Sequence, residues 1–282
     1  MKEAKARTVG PLPEVDQLQL QNAFKTQLLN SVAHELSTPL TPIRLQLHTL
    51  MGGRAGALTV EQQRCLTVID RNIERLHGLV KNILDVSRLE AQHFKVEMKA
   101  VDLAQIVTEA YEAYRDAARE AGVELRAEVM AGAFVMADSP RLIQVAFNLL
   151  SNAIKFTPKG GTIHLGLAKE GPHASVTVRD NGVGFDPADQ AKLFKPFSQL
   201  GGSVAAAYQG SGLGLYISDG IVALHGGSMW GESPGQGKGA EFGFRLPLVA
   251  TQAGAPPVPL VMRSGASSSR EAEFADRIRS LV

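Results

Sequence analysis

The segment FNLLSNAIKF carries two amides and an ammonium at helical spacing, with Asn148, Asn152 and Lys155 four and three residues apart. Residues so spaced share one helix face, and Phe147, Leu150, Ile154 and Phe156 supply the apolar positions around them. An amide oxygen is a hard ligand suited to magnesium, which keeps several waters and shares phosphate oxygens, while a lysine neutralises phosphate charge. Taken alone, the helix is explained equally well by a solvated polar face. The strand end RDNGVGFD adds Asp180, followed by Gly182 and Gly184. Glycine lets the backbone approach a ligand closely at positive φ, and a carboxylate at a strand end accepts hydrogen bonds from an exocyclic amine. In GSGLGL, Gly210, Gly212 and Gly214 lead into a helix, so free N–H groups and the helix dipole face an anion. A flexible stretch, not a buried strand, precedes these glycines, which argues against a dinucleotide fold. That stretch, LGGSVAAAYQ, is small and poor in bulky residues, as a lid over phosphates would be. Each element is weak by itself; the three together suit a nucleoside triphosphate.

These residues need elements to position them. From Val15 to Met51, Leu29, Val32, Leu36, Ile43, Leu47 and Leu50 recur at spacings of three, four and seven, one stripe on a long helix. Gly52, Gly53 and Gly56 end that pattern in a turn reaching Leu58. Thr59 and Gln62 fit a capping box, after which Leu66, Ile69, Ile73, Leu76, Val80 and Ile83 step three, four, three, four, three. The pattern predicts an antiparallel hairpin over residues 15–95 whose seams leave apolar surface uncovered. Pairing of two hairpins into a dimeric four-helix bundle covers it; packing onto its own chain is the alternative. The segment QHFKVEMKAVD reads as an extended linker, 96–102, into a second domain at 103–249. There a helix from about Asp102 to Ala121 precedes strands at Val123–Glu128 and Phe134–Ala137. A helix capped by Ser139 with Pro140 in its first turn follows. Strands Thr162–Lys169 and Ala174–Asp180 form a hairpin, and a helix near Leu213–Leu224 precedes strands Ser228–Glu232 and Ala240–Pro247. The expected fold is an all-α hairpin followed by an α+β two-layer sandwich. Residues 1–14 form a short leading segment, and 250–282, rich in Ala, Pro, Gly and Ser, read as a disordered tail.

Composition sets limits. The chain has 282 residues, 44% hydrophobic and 20% charged, at a formal net charge of +1, which leaves no strong nucleic-acid footprint. The single cysteine, Cys65, cannot form an intrachain disulfide and reads as a small apolar residue on a helix flank. With no cysteine pair, nothing suggests an oxidising compartment and a cytoplasmic location is the simplest reading; no apolar run approaches the roughly 18 residues of a membrane span, so no span is expected in this chain.

NLLSNAIKFT, DNGVGF, LFKPF and GSGLGL resemble the N, G1, F and G2 boxes of the ATPase domain shared by histidine kinases, gyrase-type topoisomerases, heat-shock chaperones and mismatch-repair ATPases. The resemblance implies ATP and magnesium as cofactors. Asn152 would hold the metal with Asn148 nearby, Lys155 would contact phosphate, and Asp180 would read the adenine amino group. Gly182 and Gly184 would line the base pocket, and Gly210, Gly212, Gly214 and Leu215 the base of the lid. Phe194 and Phe197, with Leu193, would anchor the lid, with plain core packing as the alternative. Lys195 stands where such kinases more often carry an acidic residue. An ATPase fold by itself does not separate a kinase from a conformational machine; the first domain does. LNSVAHELSTPLTPI resembles the H box of the commonest histidine kinase class, with His34 as nucleophile and Glu35 as its base. Neutral imidazole is a fair nucleophile near pH 7, and a carboxylate holding one ring N–H leaves the other nitrogen free to attack phosphorus. Pro39 and Pro42 free the carbonyls of Glu35 and Thr38 at about 3 kcal/mol apiece, a cost that a merely structural hairpin has little reason to bear. Thr38 matches the family position that orients water for removing phosphate from the partner. Ser37 replaces the arginine of the usual HELRTPL. The resemblance implies autophosphorylation on His34, transfer to a response-regulator aspartate, phosphatase activity toward that regulator, and a homodimer. A catalytically degenerate ATP-binding scaffold and a gyrase-like or chaperone-like clamp are the other classes; the clamp has no use for an H-box hairpin.

Overall fold

The computed structural model describes residues 31–32, 35–36, 38–199, 210–249 and 259–263. The chain divides into two compact units, Met1–Phe94 and Lys95–Val282.

In the first unit, helix α1 runs through residues 38–51, and Pro39 and Pro42 stay within it. A turn with Gly53 and Gly56 at φ 72° and 112° reverses the chain, a conformation only glycine adopts without cost. Helix α2, Val60–Glu90, opens with the expected capping box: Gln62 N–H donates to Thr59 Oγ1 (3.2 Å) and the Thr59 N–H to Gln62 Oε1 (2.8 Å). Leu47, Ile73 and Val80 are buried, and His48 Nε2 of α1 lies 3.5 Å from Asp70 Oδ1 of α2. Val32, Leu36, Ile43, Leu50, Ile69 and Leu76, all on the predicted stripes, remain exposed.

The second unit starts earlier than its helical pattern does. Lys99–Asp102, expected as linker, form strand β1, which pairs antiparallel with β3, Phe134–Ala137. The four residues are too few to show an alternation, and their partner lies more than thirty residues away, so nothing local marks them as strand. Asp102 then caps α3, Leu103–Ala121: its Oδ1 accepts from the Ala104 and Ala133 N–H groups and its Oδ2 from Gly132. After β2, Glu124–Met130, and β3 comes α4, Ser139–Phe156. Its cap is Asp138 and not Ser139, because the Asp138 carboxylate accepts from the Arg141 N–H (3.2 Å) and also from the Glu97 N–H (2.9 Å). Strands β4 (Thr162–Glu170) and β5 (His173–Asp180), helix α5 (Gly214–Leu224) and strands β6 (Ser228–Glu232) and β7 (Ala240–Pro247) follow.

The last strand, β8, is Pro259–Arg263, inside the stretch whose composition reads as disordered. It pairs with the edge of β2, whose unpaired backbone groups offer a template that composition does not reveal. The sheet runs β6-β7-β5-β4-β2-β8, antiparallel except for the parallel β2–β4 pair. Leu125, Ala127 and Val129 alternate inward on β2, as do Ile163, Leu165 and Leu167 on β4. α3 packs on α4 and β2, and α4 on α5, which completes the α/β sandwich. Among the described residues no helix is long and apolar enough to cross a membrane.

Candidate functional site

α4 holds the polar face in register because its opposite face is core: Leu142, Val145, Ala146, Leu149, Leu150 and Ala153 are buried, and Phe147 meets Tyr114 of α3 edge to face at 5.2 Å. Asn148, Asn152 and Lys155 are each half-buried. The Asn148 amide donates to Ser218 Oγ of α5 (3.0 Å), and the Asn152 amide donates to Asn148 Oδ1 at 3.5 Å. The glycine string lies against this face. A Cβ on Gly214 would collide with the Asn148 side-chain oxygen, and one on Gly210 would stand 3.1 Å from Lys155 Nζ. Gly212 has φ +68°, and a Cβ there would meet the carbonyl carbon of Phe197 at 2.7 Å. At Gly214 the backbone is thus drawn against the Asn148 amide where only hydrogen fits, and at Gly210 it passes close to the Lys155 ammonium.

Asp180 ends β5 with 8% exposure. Its Oδ1 accepts from the Gly182 N–H (2.8 Å). Burial pushes the carboxyl above its ordinary range, and the N–H groups of Gly182 and Ala240 pull it back. The turn after it is pinned to the end of α4, since the Val183 N–H donates to Phe156 O (3.1 Å) and a Cβ on Gly182 would collide with that carbonyl. α4 therefore joins the two glycine elements through its own residues. The hydroxyl oxygen of the next residue, Thr157, is buried and has no hydrogen-bond partner among the described residues.

The other side of the turn is built by a loop that local pattern did not single out, Ser233–Gly239. Ser233 Oγ accepts from the Phe185 N–H (3.1 Å) and donates to Gly239 O (2.7 Å), and the Gly239 N–H donates to Gly182 O (3.0 Å). Gly184, at φ +57°, faces Ser233 Oγ and the Gly239 carbonyl, each 2.8 Å from where its Cβ would be. Gly239 has φ +76°, and a Cβ there would collide with the Asp180 carbonyl. Gly239→Ala is expected to destabilise the domain by about 2–4 kcal/mol, through strain and displacement of this turn, as read by urea unfolding.

The residues expected to anchor the lid separate. Leu193 packs with Phe185 and Ala240, and Phe194, Leu215 and Phe242 pack against that cluster. Leu215 therefore seats α5 through apolar contact. Phe197 stays out of the cluster, 69% exposed and at φ 60°. Lys195 is exposed. Glu35 and Thr38 are exposed positions of the first helix. His34 and Ser37 lie outside the described residues, as do residues 200–209 of the lid stretch.

Two family models match the chain. Residues 24–92 match the His Kinase A (phospho-acceptor) domain, and residues 137–250 the histidine kinase-, DNA gyrase B- and HSP90-like ATPase. Together they cover more than half of the sequence and occur in the order of a kinase core. The chain belongs to the histidine kinases. It is 36% identical over 232 residues to the circadian input-output histidine kinase CikA of Synechococcus elongatus, across 81% of this chain and 31% of that protein. The histidine protein kinase DivJ of Caulobacter vibrioides is 34% identical over 84% of this chain and 40% of its own length. The chain thus spans less than half of these relatives. The crystal structure of full-length ShkA in complex with AMPPNP superposes with a TM-score of 0.67 at 29% identity, over 80% of this chain and 47% of that one.

Within this histidine kinase core, one further side chain ties the site to the fold. His225, buried at the end of α5, accepts the Asp138 N–H on Nε2 (3.0 Å), so its ring proton sits on Nδ1, 2.7 Å from Ile221 O. It binds the start of α4 to α5. Its signal in the sequence, a histidine before two glycines, resembles any helix end, and only the tertiary partner distinguishes it.

Proposed function

We propose that this kinase core binds ATP with magnesium, transfers the γ-phosphoryl group to its own His34 and passes it on to an aspartate of a response-regulator receiver domain. The observation that carries the reading is the joint presence of a phospho-acceptor domain and an ATPase domain in one chain. The likeness to ShkA, whose structure contains AMPPNP, supports an ATP-type ligand. The orphaned Thr157 hydroxyl and the buried Asp180 carboxylate fit such a ligand, and Gly182, Gly184 and Gly239 let the turn that carries Asp180 pack tightly. Asp180 would accept a hydrogen bond from the adenine amine, and Lys155 would neutralise phosphate. An amide oxygen is a hard ligand suited to magnesium shared with phosphate, so Asn152, with Asn148 behind it, would hold the ion. When bound, that ion would neutralise the charge developing on the transferred group.

On the hairpin, Glu35 would hold one ring N–H of His34 while the other nitrogen attacks phosphorus. A new N–P bond forms, the bond from the γ-phosphorus to the bridging oxygen breaks, and ADP leaves. Thr38 would orient water for removing phosphate from the regulator. The exposed Leu36, Ile43, Ile69 and Leu76 support pairing of two hairpins in a homodimer. The test is a chase: chain labelled from γ-labelled ATP is mixed with a receiver domain, and label is expected to move to the receiver. Label that stays on the chain with every receiver tried would contradict the transfer step.

A further inference from the structure

Ser218 is 2% exposed on α5, one turn after Gly214 and outside every family box. Its hydroxyl is nevertheless the hydrogen-bond partner of the Asn148 amide nitrogen, at 3.0 Å. That bond holds the Asn148 side chain with its amide nitrogen toward Ser218. With the amide nitrogen turned to Ser218, Asn148 Oδ1 points to Asn152, whose own amide nitrogen donates to it at 3.5 Å. The Asn152 nitrogen is thereby occupied on the Asn148 side, and its Oδ1 is turned away from Asn148. Gly214 closes the remaining side of Asn148, since a Cβ there would strike its oxygen. The ladder Ser218–Asn148–Asn152 runs from α5, the helix that the glycine string opens, to the outer amide of α4.

We infer that Ser218 is a positioning residue for the metal-binding amide: through Asn148 it fixes the side chain of Asn152 so that a carbonyl oxygen, and not an amide N–H, faces the divalent cation. An Asn is symmetric in shape and opposite in polarity at its two ends. A flipped amide would present a donor to a cation. The step from Ser218 to metal affinity is of the kind by which groups behind a ligand tune a metal site, worth about tenfold or more in affinity. The inference rests on the reading above that Asn152 holds magnesium.

The experiment titrates the full chain and its variants with a fluorescent ATP analogue, once in magnesium and once in EDTA. Asn152→Ala is expected to abolish the gain in affinity that magnesium gives. Ser218→Ala is expected to raise the magnesium concentration needed for half of that gain by about tenfold, with binding in EDTA unchanged. Added to Asn148→Ala it should do nothing further, because its effect travels through that residue. Ser218→Cys, which keeps a weak donor and acceptor in place, should recover part of the loss. An equal loss in magnesium and in EDTA, no loss at all, or an added loss on Asn148→Ala would overturn the role given to Ser218. If Asn152→Ala itself leaves the magnesium dependence intact, the metal reading of Asn152 fails first.

Discussion

Replacing His34 by alanine is expected to reduce incorporation of label from γ-labelled ATP to background, while affinity for the nucleotide changes by less than about twofold. The separation follows from the architecture. His34 belongs to the first unit, and the residues that fit ATP all belong to the second. Loss of the nucleophile removes none of the residues that fit the nucleotide, so the nucleotide site keeps its own contacts. Glu35→Gln is the milder companion. An amide at that position still accepts a hydrogen bond from the ring but no longer stabilises the positive charge that develops on it, so the rate falls while the site of label is unchanged. Initial rates of label incorporation, with binding measured on the same preparations, distinguish these cases.

The second large effect is expected at Asp180. Asp180→Asn puts an amide N–H₂ where a carboxylate oxygen would meet the adenine amine, so a donor faces a donor. Loss of a hydrogen bond to a charged acceptor is worth about 1.5–3 kcal/mol, so ATP affinity should fall roughly ten- to a hundredfold. Guanine nucleotides, which carry a carbonyl at that position, should lose much less. The same substitution reads out the pH dependence of folding. Burial raises the folded carboxyl above its unfolded value, so the folded state binds the extra proton between the two. Stability therefore falls as pH rises through that interval and stays lower above it. An Asn variant lacks this slope. The unfolding free energy of the natural chain minus that of the variant should become more negative as pH rises from about 4, in the absence of nucleotide.

The parts of the fold that could be read in advance are those set within one segment. The capping box of Thr59 and Gln62 reports on residues three apart, and it forms with both hydrogen bonds. The face of Asn148, Asn152 and Lys155 follows from helical geometry, and the meeting of that face with Gly210 and Gly214 follows from shared suitability for one ligand. What could not be read depends on partners distant in sequence. β1 is a strand only because residues 134–137 lie beside it, and β8 only because β2 ends the sheet without it. Asp138 displaces Ser139 as cap of α4 because its carboxylate is also anchored by the Glu97 N–H. Ser233 and Ser218 are ordinary serines in the sequence. Their roles rest on hydrogen bonds to Phe185, forty-eight residues away, and to Asn148, seventy residues away. The separation of Phe194 from Phe197 likewise depends on Phe185, Leu215 and Phe242, which only the folded domain assembles.

The proposed function depends on passage of a phosphoryl group from the ATPase domain to His34 of the phospho-acceptor domain. The most direct measurement is peptide mapping of the chain after incubation with γ-labelled ATP and magnesium, under conditions that preserve acid-labile phosphate. One labelled peptide is predicted, containing His34, with the label lost on acid treatment and retained in base. Label on any other residue, or none on a chain shown to bind ATP under the same conditions, would contradict autophosphorylation at His34.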